Sequence, residues 1–247
     1  MVSDHSLENR TALVTGASAG IGAATCRALA NAGANVVLAA RSEDRLEALA
    51  TDLEADHGVE TLVVPTDVRE EAQVDALVAE TVERFGRLDV LVNNAGLARG
   101  HEVAELETEA YRTMQETNVD GVFYATRAAI PHVRERGGHL IFVGSFAGQY
   151  PRPFNPVYAA TKWWVRGFAK SVAAQVGDAD VGVTIVNPSE VRTEFETTDG
   201  DTFAERFEPA EATEPEEIAE AIVFAATRER SSVSELDLFR RDKFTGF

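Results

Sequence analysis

The chain has 247 residues, of which 45% are hydrophobic and 26% are charged. This composition excludes a disordered or fibrous protein and provides enough apolar material for a large core. The 41 acidic residues outnumber the 23 lysines and arginines, so the formal net charge is −18. Nucleic acids and anionic membranes would meet a repulsive field, and we expect neither as a partner.

The amino terminus and the cysteine content bear on location and chemistry. The first ten residues contain no apolar segment typical of a secretion signal, and no run approaches the roughly 18 apolar residues of a transmembrane helix. We therefore expect a soluble cytoplasmic protein. Cys26 is the only cysteine, which excludes an intrachain disulfide and a multi-cysteine metal site, and no metal is predicted. Its apolar neighbours favour an inert packed thiol.

The basic residues are unevenly distributed between the two types. Lysine occurs only at positions 162, 170 and 243, and every other cation is arginine. A surface rich in carboxylates and poor in lysine is typical of proteins that work in concentrated salt, where screening removes self-repulsion. An ordinary acidic protein is the alternative. Because the imbalance exceeds what solubility alone requires, the sequence predicts halophilic adaptation.

Short apolar runs alternate with helical patterns along the chain. Seven strands are predicted, at 11–15, 36–40, 62–64, 90–92, 140–143, 183–186 and 236–239. Among the intervening helices are one at 72–85 and one at about 214–227, the latter opened by a capping box from Thr213 to Glu216. The pattern predicts a single doubly wound α/β domain over residues 1–247, with a seven-stranded parallel sheet and helices on both faces. Residues 188–212 lack strong periodicity and are predicted to form a lid beside a site.

A glycine-rich segment joins the first predicted strand to the first helix. Residues 15–22 read TGASAGIG, and a helical pattern follows as far as Gly33. Glycines permit a sharp turn and close approach of a pyrophosphate, whose charge then lies at the positive end of the helix. A tight turn without a ligand is the alternative. The position between strand and helix favours a dinucleotide site.

The second predicted strand ends in Arg41 and Ser42, about twenty residues after the glycines. An acid at this place would bind the ribose hydroxyl of NAD, but none is present. Arg41 can instead bind a 2′-phosphate, with the Ser42 hydroxyl beside it, which predicts NADP(H). The alternative is that Arg41 pairs with a surface carboxylate such as Glu43.

Tyr158 and Lys162 are four residues apart in a helical pattern and therefore share one helix face. A nearby ammonium lowers the pKa of a phenol from its usual value of about 10, which prepares the phenol for acid-base chemistry. Ser145 follows the fifth predicted strand, and the segment NNAG at 93–96 follows the fourth. The carboxyl ends of parallel strands are the edge at which open α/β sheets bind ligands.

These motifs together resemble the short-chain dehydrogenase/reductase family over nearly the whole chain. The matching features are TGxxxGxG at 15–22, Asp67-Val68, NNAG at 93–96, Asn118, Ser145 and YxxxK at 158–162. The segments around 94–98, 144–148 and 158 are similar to the branch that includes NADP-dependent serine and 3-hydroxy acid dehydrogenases. The resemblance implies an oxidoreductase that interconverts a carbonyl and a secondary alcohol of a small molecule.

The resemblance also implies roles for individual catalytic residues. Tyr158 would be the acid in carbonyl reduction and the base in alcohol oxidation, and Lys162 would lower its pKa and bind the nicotinamide ribose. Ser145 would hydrogen-bond the substrate oxygen. Asn118 would anchor a water that links Lys162 to solvent. A homotetramer, or a dimer, is implied, with the helix that carries Tyr158 as an interface.

Further residues would hold the dinucleotide. Asp67 and Val68 would contact the adenine, Asn93 would line the adenosine ribose, and the nicotinamide carboxamide would be held by Val191 and Thr193. The remaining contacts implied by the motifs are Gly16, Ser18, Gly20, Ile21, Gly22, Arg41, Ser42, Ala95, Gly96, Pro188 and the pair Tyr158 and Lys162.

Two segments depart from the family's pattern. The usual Pro-Gly after the sixth strand is replaced by Pro188-Ser189-Glu190, and residues 240–247 replace a glycine-rich ending. A substrate carboxylate could be received by Arg99, Arg152 or Arg192, although each could equally be a surface cation. Aromatic walls are suggested by the side chains Phe146, Tyr150, Phe154, Trp163 and Trp164, of which the tryptophans favour packing or a subunit contact.

Two other functions remain open. A catalytically silent NADP-binding sensor would keep the glycine turn but would tolerate loss of the four catalytic residues, all of which are present. An epimerase or dehydratase on the same scaffold would share YxxxK, but such relatives are usually longer and carry a carboxyl-terminal substrate domain.

Overall fold

The computed structural model describes residues 6–100, 102–195 and 201–245. A parallel sheet of seven strands lies at its centre, in the order β3-β2-β1-β4-β5-β6-β7. The strands are β1 Thr11–Thr15, β2 Asn35–Ala40, β3 Thr61–Pro65, β4 Val90–Asn93, β5 His139–Val143, β6 Gly182–Pro188 and β7 Glu235–Leu238. The predicted seven-stranded parallel sheet is confirmed, with small differences at the strand ends.

The helices connect consecutive strands. They are α1 Gly20–Asn31, α2 Glu43–His57, α3 Glu71–Phe85, α4 Thr108–Gln115, α5 Gly121–Arg136, α6 Pro156–Val176, α7 Phe203–Arg206 and α8 Pro215–Ala226. A π-helical segment, Glu116–Asp120, joins α4 to α5, and a 3₁₀ turn, Phe146–Gly148, follows β5. No helix in the described part of the chain is long and apolar enough to cross a membrane.

Successive residues of a strand point to opposite faces of the sheet, and both faces carry apolar side chains. Helices therefore cover both faces. On one face, Val14 and Leu38 belong to a buried cluster that α1, α2 and α8 complete. On the other face, Leu13 and Val37 belong to a cluster with α3, α5 and α6. Cys26 lies in the first cluster, and burial raises the pKa of its thiol, which suppresses the reactive thiolate.

The start of α8 corrects one detail of the prediction. Glu214, and not Thr213, is the residue before the helix, and it forms a reciprocal capping box with Glu217. Thr213 instead forms a parallel bridge with Val191, and its carbonyl accepts a hydrogen bond of 2.9 Å from the amide of Arg192. This bridge keeps Thr213 extended, so the helix begins later than the sequence pattern suggested.

The strand order places the site. β1 lies between β2 and β4, so the chain leaves β1 towards β2 and returns on the other side of β1 for β4. The helices that follow β1 and β4 therefore diverge, and a crevice opens beyond the carboxyl ends of these strands.

Candidate active site

A cleft of about 550 Å³ opens at the carboxyl-terminal edge of the sheet. It brings together most of the residues predicted for the site: Gly16, Ser18, Gly20, Ile21, Gly22, Arg41, Ser42, Asp67, Val68, Ala95, Gly96, Ser145, Tyr158, Lys162, Pro188, Val191 and Thr193. Asn93 and Asn118 are not among the lining residues. One continuous cleft thus joins the glycine-rich turn to the Tyr158 side chain.

The glycine-rich turn is held in a conformation that larger residues would disrupt. Gly16 has a φ of +67°, and a Cβ at Gly22 would lie 2.1 Å from the Gly16 carbonyl oxygen. The side-chain amide of Asn94 donates hydrogen bonds to the carbonyls of Thr15 and Gly16, at 2.8 and 3.1 Å. The segment after β4 therefore braces the turn after β1, and the amino end of α1 faces the cleft.

Three arginines line the cleft near the end of β2. Arg45 pairs with Glu194 at 2.7 Å, and Arg69 pairs with Asp67 at 2.6 Å. Arg41 makes no ion pair with any residue that the structure describes, and it does not pair with Glu43. The Ser42 hydroxyl beside it likewise has no hydrogen-bond partner in the described chain, so both groups can bind an anion.

Asp67 lies in the cleft with its carboxylate already engaged. Its two oxygens accept hydrogen bonds from the Arg69 guanidinium, at 2.6 to 3.0 Å. This pairing holds the pKa of Asp67 below its usual value. An adenine amino group would share the carboxylate with Arg69.

Asn93 faces away from the cleft. Its side chain is buried, and its amide donates a hydrogen bond of 3.1 Å to the Thr126 hydroxyl of α5. The structure therefore does not place the Asn93 side chain where the sequence predicted, against the adenosine ribose. The reason is strand alternation, which turns Asn93 towards α5 and leaves its neighbour Asn94 on the cleft side.

Asn118 lies behind the cleft in the π-helical segment. Its side-chain oxygen accepts from the Leu97 amide at 2.9 Å, and its side-chain amide donates to the Leu97 carbonyl and to the Thr161 hydroxyl. Since both amide hydrogens are used, a water could be anchored only at the backbone carbonyl or at the second lone pair of Oδ1. The side chain ties the loop after β4 to α6, which carries Tyr158.

The environment of Tyr158 raises the pKa of its phenol. Burial is the main cause, while the hydrogen bond from Ser145 and the positive charge of Arg152 act in the opposite direction. The sequence suggested a lowered pKa because of Lys162. In the structure the Lys162 ammonium lies 5.9 Å from the centre of the Tyr158 ring, and the loss of hydration outweighs the nearby charges.

Lys162 is itself buried and makes one hydrogen bond in the described chain, from its ammonium to the Val143 carbonyl at 2.9 Å. Burial lowers its pKa to about 8. An ammonium has three donors, so two remain available for hydroxyl groups or water. A Cβ at Gly96 would lie 3.5 Å from this nitrogen, so the loop after β4 passes close to it.

The other end of the cleft is lined by aromatic rings from the segment after β6. The Phe195 ring lies 6.0 Å from Tyr158, and Phe203 stacks on Phe195 at 6.0 Å. The five aromatic residues that the sequence suggested are not among the lining residues. Tyr150 stacks on the buried Phe146, and Trp164 stacks on Phe168.

The three arginines considered for a substrate carboxylate differ in position. Arg99 lines the cleft. Arg192 pairs with Glu214 at 2.9 Å, and Arg152 faces Glu190 at 3.6 Å. Of these three, only Arg99 is a lining residue, although the charge of Arg152 also acts on the Tyr158 phenol.

Comparisons with known proteins agree with this geometry. Residues 10–202 match the short chain dehydrogenase family. The chain belongs to the short-chain dehydrogenase family. It is 35% identical over 223 residues to an uncharacterized oxidoreductase of Staphylococcus haemolyticus, with 90% of this chain and 93% of that protein covered.

Two further relatives of this short-chain dehydrogenase have informative names. The NADP-dependent 3-hydroxy acid dehydrogenase of Salmonella typhi is 38% identical over 222 residues, which cover 87% of this chain and 88% of that protein. The X-ray structure of an alcohol dehydrogenase from Thermococcus sibiricus, complexed with 5-hydroxy-NADP, has a TM-score of 0.86 and 33% identity. The structural alignment covers 93% of this chain and 95% of the Thermococcus chain.

The structure of this short-chain dehydrogenase adds cleft residues that the sequence interpretation did not single out. Asn94 was visible within NNAG, but only the strand alternation shows that it is the asparagine facing the cleft. Arg45 lies in the first turn of α2, which begins two residues after Arg41, so the predicted start of this helix could have indicated it. Phe195 and Phe203 lie in an aperiodic segment, where the sequence carries no signal for the direction of a side chain.

Proposed function

We propose that this short-chain dehydrogenase is an NADP(H)-dependent oxidoreductase that interconverts a carbonyl and a secondary alcohol, with Tyr158 as the general acid and base. The observation that carries the proposal is the shared cleft. The Tyr158 phenol, the Ser145 hydroxyl and the Lys162 ammonium line the same cleft as the glycine turn and Arg41.

The adenosine end of the cleft fits NADP(H). The turn after β1 presents backbone amides at the amino end of α1, which favours a pyrophosphate. Arg41 has no ion-pair partner in the described chain and stands in a strongly acidic protein, so it offers a local positive charge to a 2′-phosphate. The Salmonella relative is NADP-dependent by name, and the Thermococcus structure holds 5-hydroxy-NADP. The bound dinucleotide supplies the hydride in reduction and accepts it in oxidation.

The residues at the other end of the cleft would transfer the proton to and from the substrate. In the reducing direction the Ser145 hydroxyl hydrogen-bonds the substrate oxygen, and the Tyr158 phenol donates its proton to that oxygen as the alcohol forms. Burial raises the pKa of Tyr158, so the phenol is protonated at neutral pH and ready to act as an acid. In the oxidising direction Tyr158 takes the proton back, which favours alkaline conditions.

Lys162 and Asn118, which are both buried, would support this proton transfer from the interior side of the cleft. The two free donors of the Lys162 ammonium can bind the nicotinamide ribose and a water. Asn118 fixes the loop at Leu97 relative to α6, so the distance between the cofactor side and Tyr158 is kept constant. A water held near Asn118 would relay the proton between Lys162 and solvent.

The remaining expectations concern the lid and the assembly. The segment 188–212 contributes Phe195 and Phe203 to the cleft, which supports its role as a lid; residues 196–200 lie outside the described part. A homotetramer, or a dimer, would use α6, on which Trp163 is 47% exposed. The cytoplasm remains the predicted location.

The deciding experiment is a substrate panel. Ketones, 3-oxo acids, semialdehydes and sugars are incubated with NADPH in molar KCl, and the NADPH absorbance is followed. We expect oxidation of NADPH with at least one member, starting from the 3-oxo acids that the Salmonella relative's name suggests. Binding of NADPH without turnover of any member would favour a sensor. Conversion of an alcohol into its isomer without net change of NADPH would favour an epimerase.

A further inference from the structure

The two segments that depart from the family's pattern contact each other. The Ser189 hydroxyl accepts a hydrogen bond of 2.9 Å from the backbone amide of Arg240, and the Ser189 amide donates to the Leu238 carbonyl at 3.0 Å. Next to it, the Glu190 carboxylate accepts a hydrogen bond from the Lys243 ammonium. The residues after β6 and the residues after β7 therefore form one unit, which we call the tail clamp, comprising residues 189–190 and 240–245.

The ion pair in the tail clamp is largely withdrawn from water. The side chains of Glu190 and Lys243 are only 14% and 7% exposed. Arg152 and Arg240 also face the carboxylate, at 3.6 and 3.8 Å. Burial alone would raise the pKa of Glu190, but Lys243 and Arg152 hold this pKa below its usual value, so the carboxylate is charged. Removing Glu190 would leave three cations without their shared carboxylate, and removing Lys243 would take away the cation that donates a hydrogen bond to that carboxylate.

One side of the tail clamp packs against the turn that carries Ser145. The Lys243 ammonium lies 4.4 Å from the centre of the Phe146 ring, and the Phe244 ring lies 5.8 Å from Tyr150. Phe146 begins the 3₁₀ turn directly after Ser145, whose hydroxyl accepts a hydrogen bond from the Ala147 amide. The position of the Ser145 hydroxyl thus depends on a turn that the tail covers.

The other side of the tail clamp packs against the lid. The Arg240 guanidinium lies 5.0 Å from the centre of the Phe207 ring. From there the aromatic rings continue into the cleft, because Phe207 contacts Phe203 at 6.1 Å and Phe203 stacks on Phe195. Phe195 lies against Tyr158. An unbroken series of side-chain contacts therefore joins the tail to the wall beside the catalytic phenol.

We propose that the tail clamp fixes the substrate-side wall of the active site, with Glu190 and Lys243 as positioning residues for Ser145 and for the two rings of Phe195 and Phe203. Neither residue touches the substrate. The proposal rests on the proposed function for the reaction it affects. Because the contacts given above reach Ser145 and the rings of Phe195 and Phe203, we expect the tail clamp to affect the substrate more than the dinucleotide, whose predicted contacts Pro188 and Val191 flank Ser189 and Glu190.

The test compares Lys243→Ala and Glu190→Gln with Arg241→Ala. Arg241 is an exposed cation of the same segment that makes no ion pair within the described residues, so Arg241→Ala matches the change in charge of Lys243→Ala without removing any of the contacts described above. We expect both tail-clamp variants to lose about ten- to hundredfold in kcat/KM for the best carbonyl substrate, since small displacements of positioned groups have effects of this size. The dissociation constant of NADPH should change by a smaller factor than kcat/KM does. Lys243→Arg should restore part of the loss.

A second measurement does not depend on activity. Hydrogen exchange is followed at the amides of Gly148 and Tyr150, which bond within the turn after Ser145, and at those of Phe203 and Ala204, which bond to the Phe195 and Thr193 carbonyls. We expect faster exchange at both places in Lys243→Ala and not in Arg241→Ala. If no carbonyl is reduced by wild type, the proposed function fails while the exchange result still decides the tail clamp. Unchanged exchange at both places in Lys243→Ala and Glu190→Gln would overturn it, as would an equal kcat/KM in all three variants.

Discussion

The two ends of the cleft are built in different ways. The adenosine end is formed by backbone: a glycine turn with φ values that side chains disfavour, braced by Asn94 against the carbonyls of Thr15 and Gly16. The substrate end is formed by side chains from segments distant in sequence, such as the Glu190 to Lys243 pair and the Phe195 and Phe203 rings. The first end follows short motifs, whereas the second depends on how three separate segments pack.

Tyr158→Phe should have the largest effect, and this effect should be confined to the substrate end of the cleft. The change removes the only transferable proton of the ring but keeps its packing against Phe195. We expect kcat to fall by about 10²- to 10⁴-fold, the usual contribution of a general acid, while NADPH affinity is retained. Stopped-flow turnover and fluorescence titration of NADPH measure the two quantities. Tyr111→Phe, a change on an exposed ring of α4, is the control. Turnover like that of wild type in Tyr158→Phe would refute the mechanism.

The adenosine end is tested by cofactor preference. Wild type should prefer NADPH over NADH by at least about tenfold in kcat/KM, because charge-assisted hydrogen bonds to a phosphate are worth about ten- to hundredfold in affinity. Arg41→Ala combined with Ala40→Asp should reverse the order, since the carboxylate repels the phosphate and binds the ribose hydroxyl.

This double variant should leave the substrate end intact, with the KM of the carbonyl substrate unchanged at saturating cofactor. Arg27→Ala, an exposed cation of α1 that pairs with Asp52, is the matched control and should keep the preference for NADPH. Titrations of both cofactors at one fixed salt concentration measure the effect. Equal use of NADPH and NADH by wild type would show Arg41 to be an ordinary surface residue.

Tyr158 lies where the two ends of the cleft meet, and its environment is tested by titrating its phenol in the protein without cofactor. Burial raises the pKa of the phenol, so its ionisation should occur above the ordinary value of about 10. Burial disfavours the charged phenolate, so a higher pH is needed to form it. The ultraviolet difference between wild type and Tyr158→Phe isolates this phenol from the other tyrosines. Ionisation of Tyr158 near neutral pH would show that Lys162 dominates over burial.

The smallest expected effect is the response to salt. If the excess of carboxylates is halophilic adaptation, Tm should rise between dilute and molar KCl because screening relieves repulsion between like charges. Each kcal/mol gained corresponds to about 2–4 °C in a protein of this size. A Tm independent of KCl would contradict the adaptation.

Salt also distinguishes two ion pairs beside the cleft. Screening should weaken the exposed Arg45 to Glu194 pair, whose side chains are 56% and 65% exposed. The Glu190 to Lys243 pair, whose side chains are much less exposed, should be far less sensitive to KCl. The difference in Tm between wild type and Lys243→Ala should therefore stay constant over the salt range, whereas that between wild type and Glu194→Gln should shrink or vanish at high salt.

The sequence by itself determined the sheet and the adenosine end of the cleft. Alternating apolar runs and helical patterns require a parallel sheet, and glycines at a strand-to-helix junction permit few backbone conformations, so these features are encoded locally. The aperiodic segment after β6 carries no such constraint. Its Phe195 and Phe203 rings could not be assigned to the cleft from their positions in the chain.

Only the tertiary structure decided which side chains face the site and how they are charged. Strand alternation turned Asn93 towards α5 and Asn94 towards the cleft, and the bridge between Thr213 and Val191 moved the capping box of α8 to Glu214. Burial raised the pKa of Tyr158 although a lysine lies one helical turn away. The partnership of Glu190 with Lys243 joins residues that are 53 positions apart. Burial and pairing of this kind depend on the packing of distant segments, and no local pattern of residues records them.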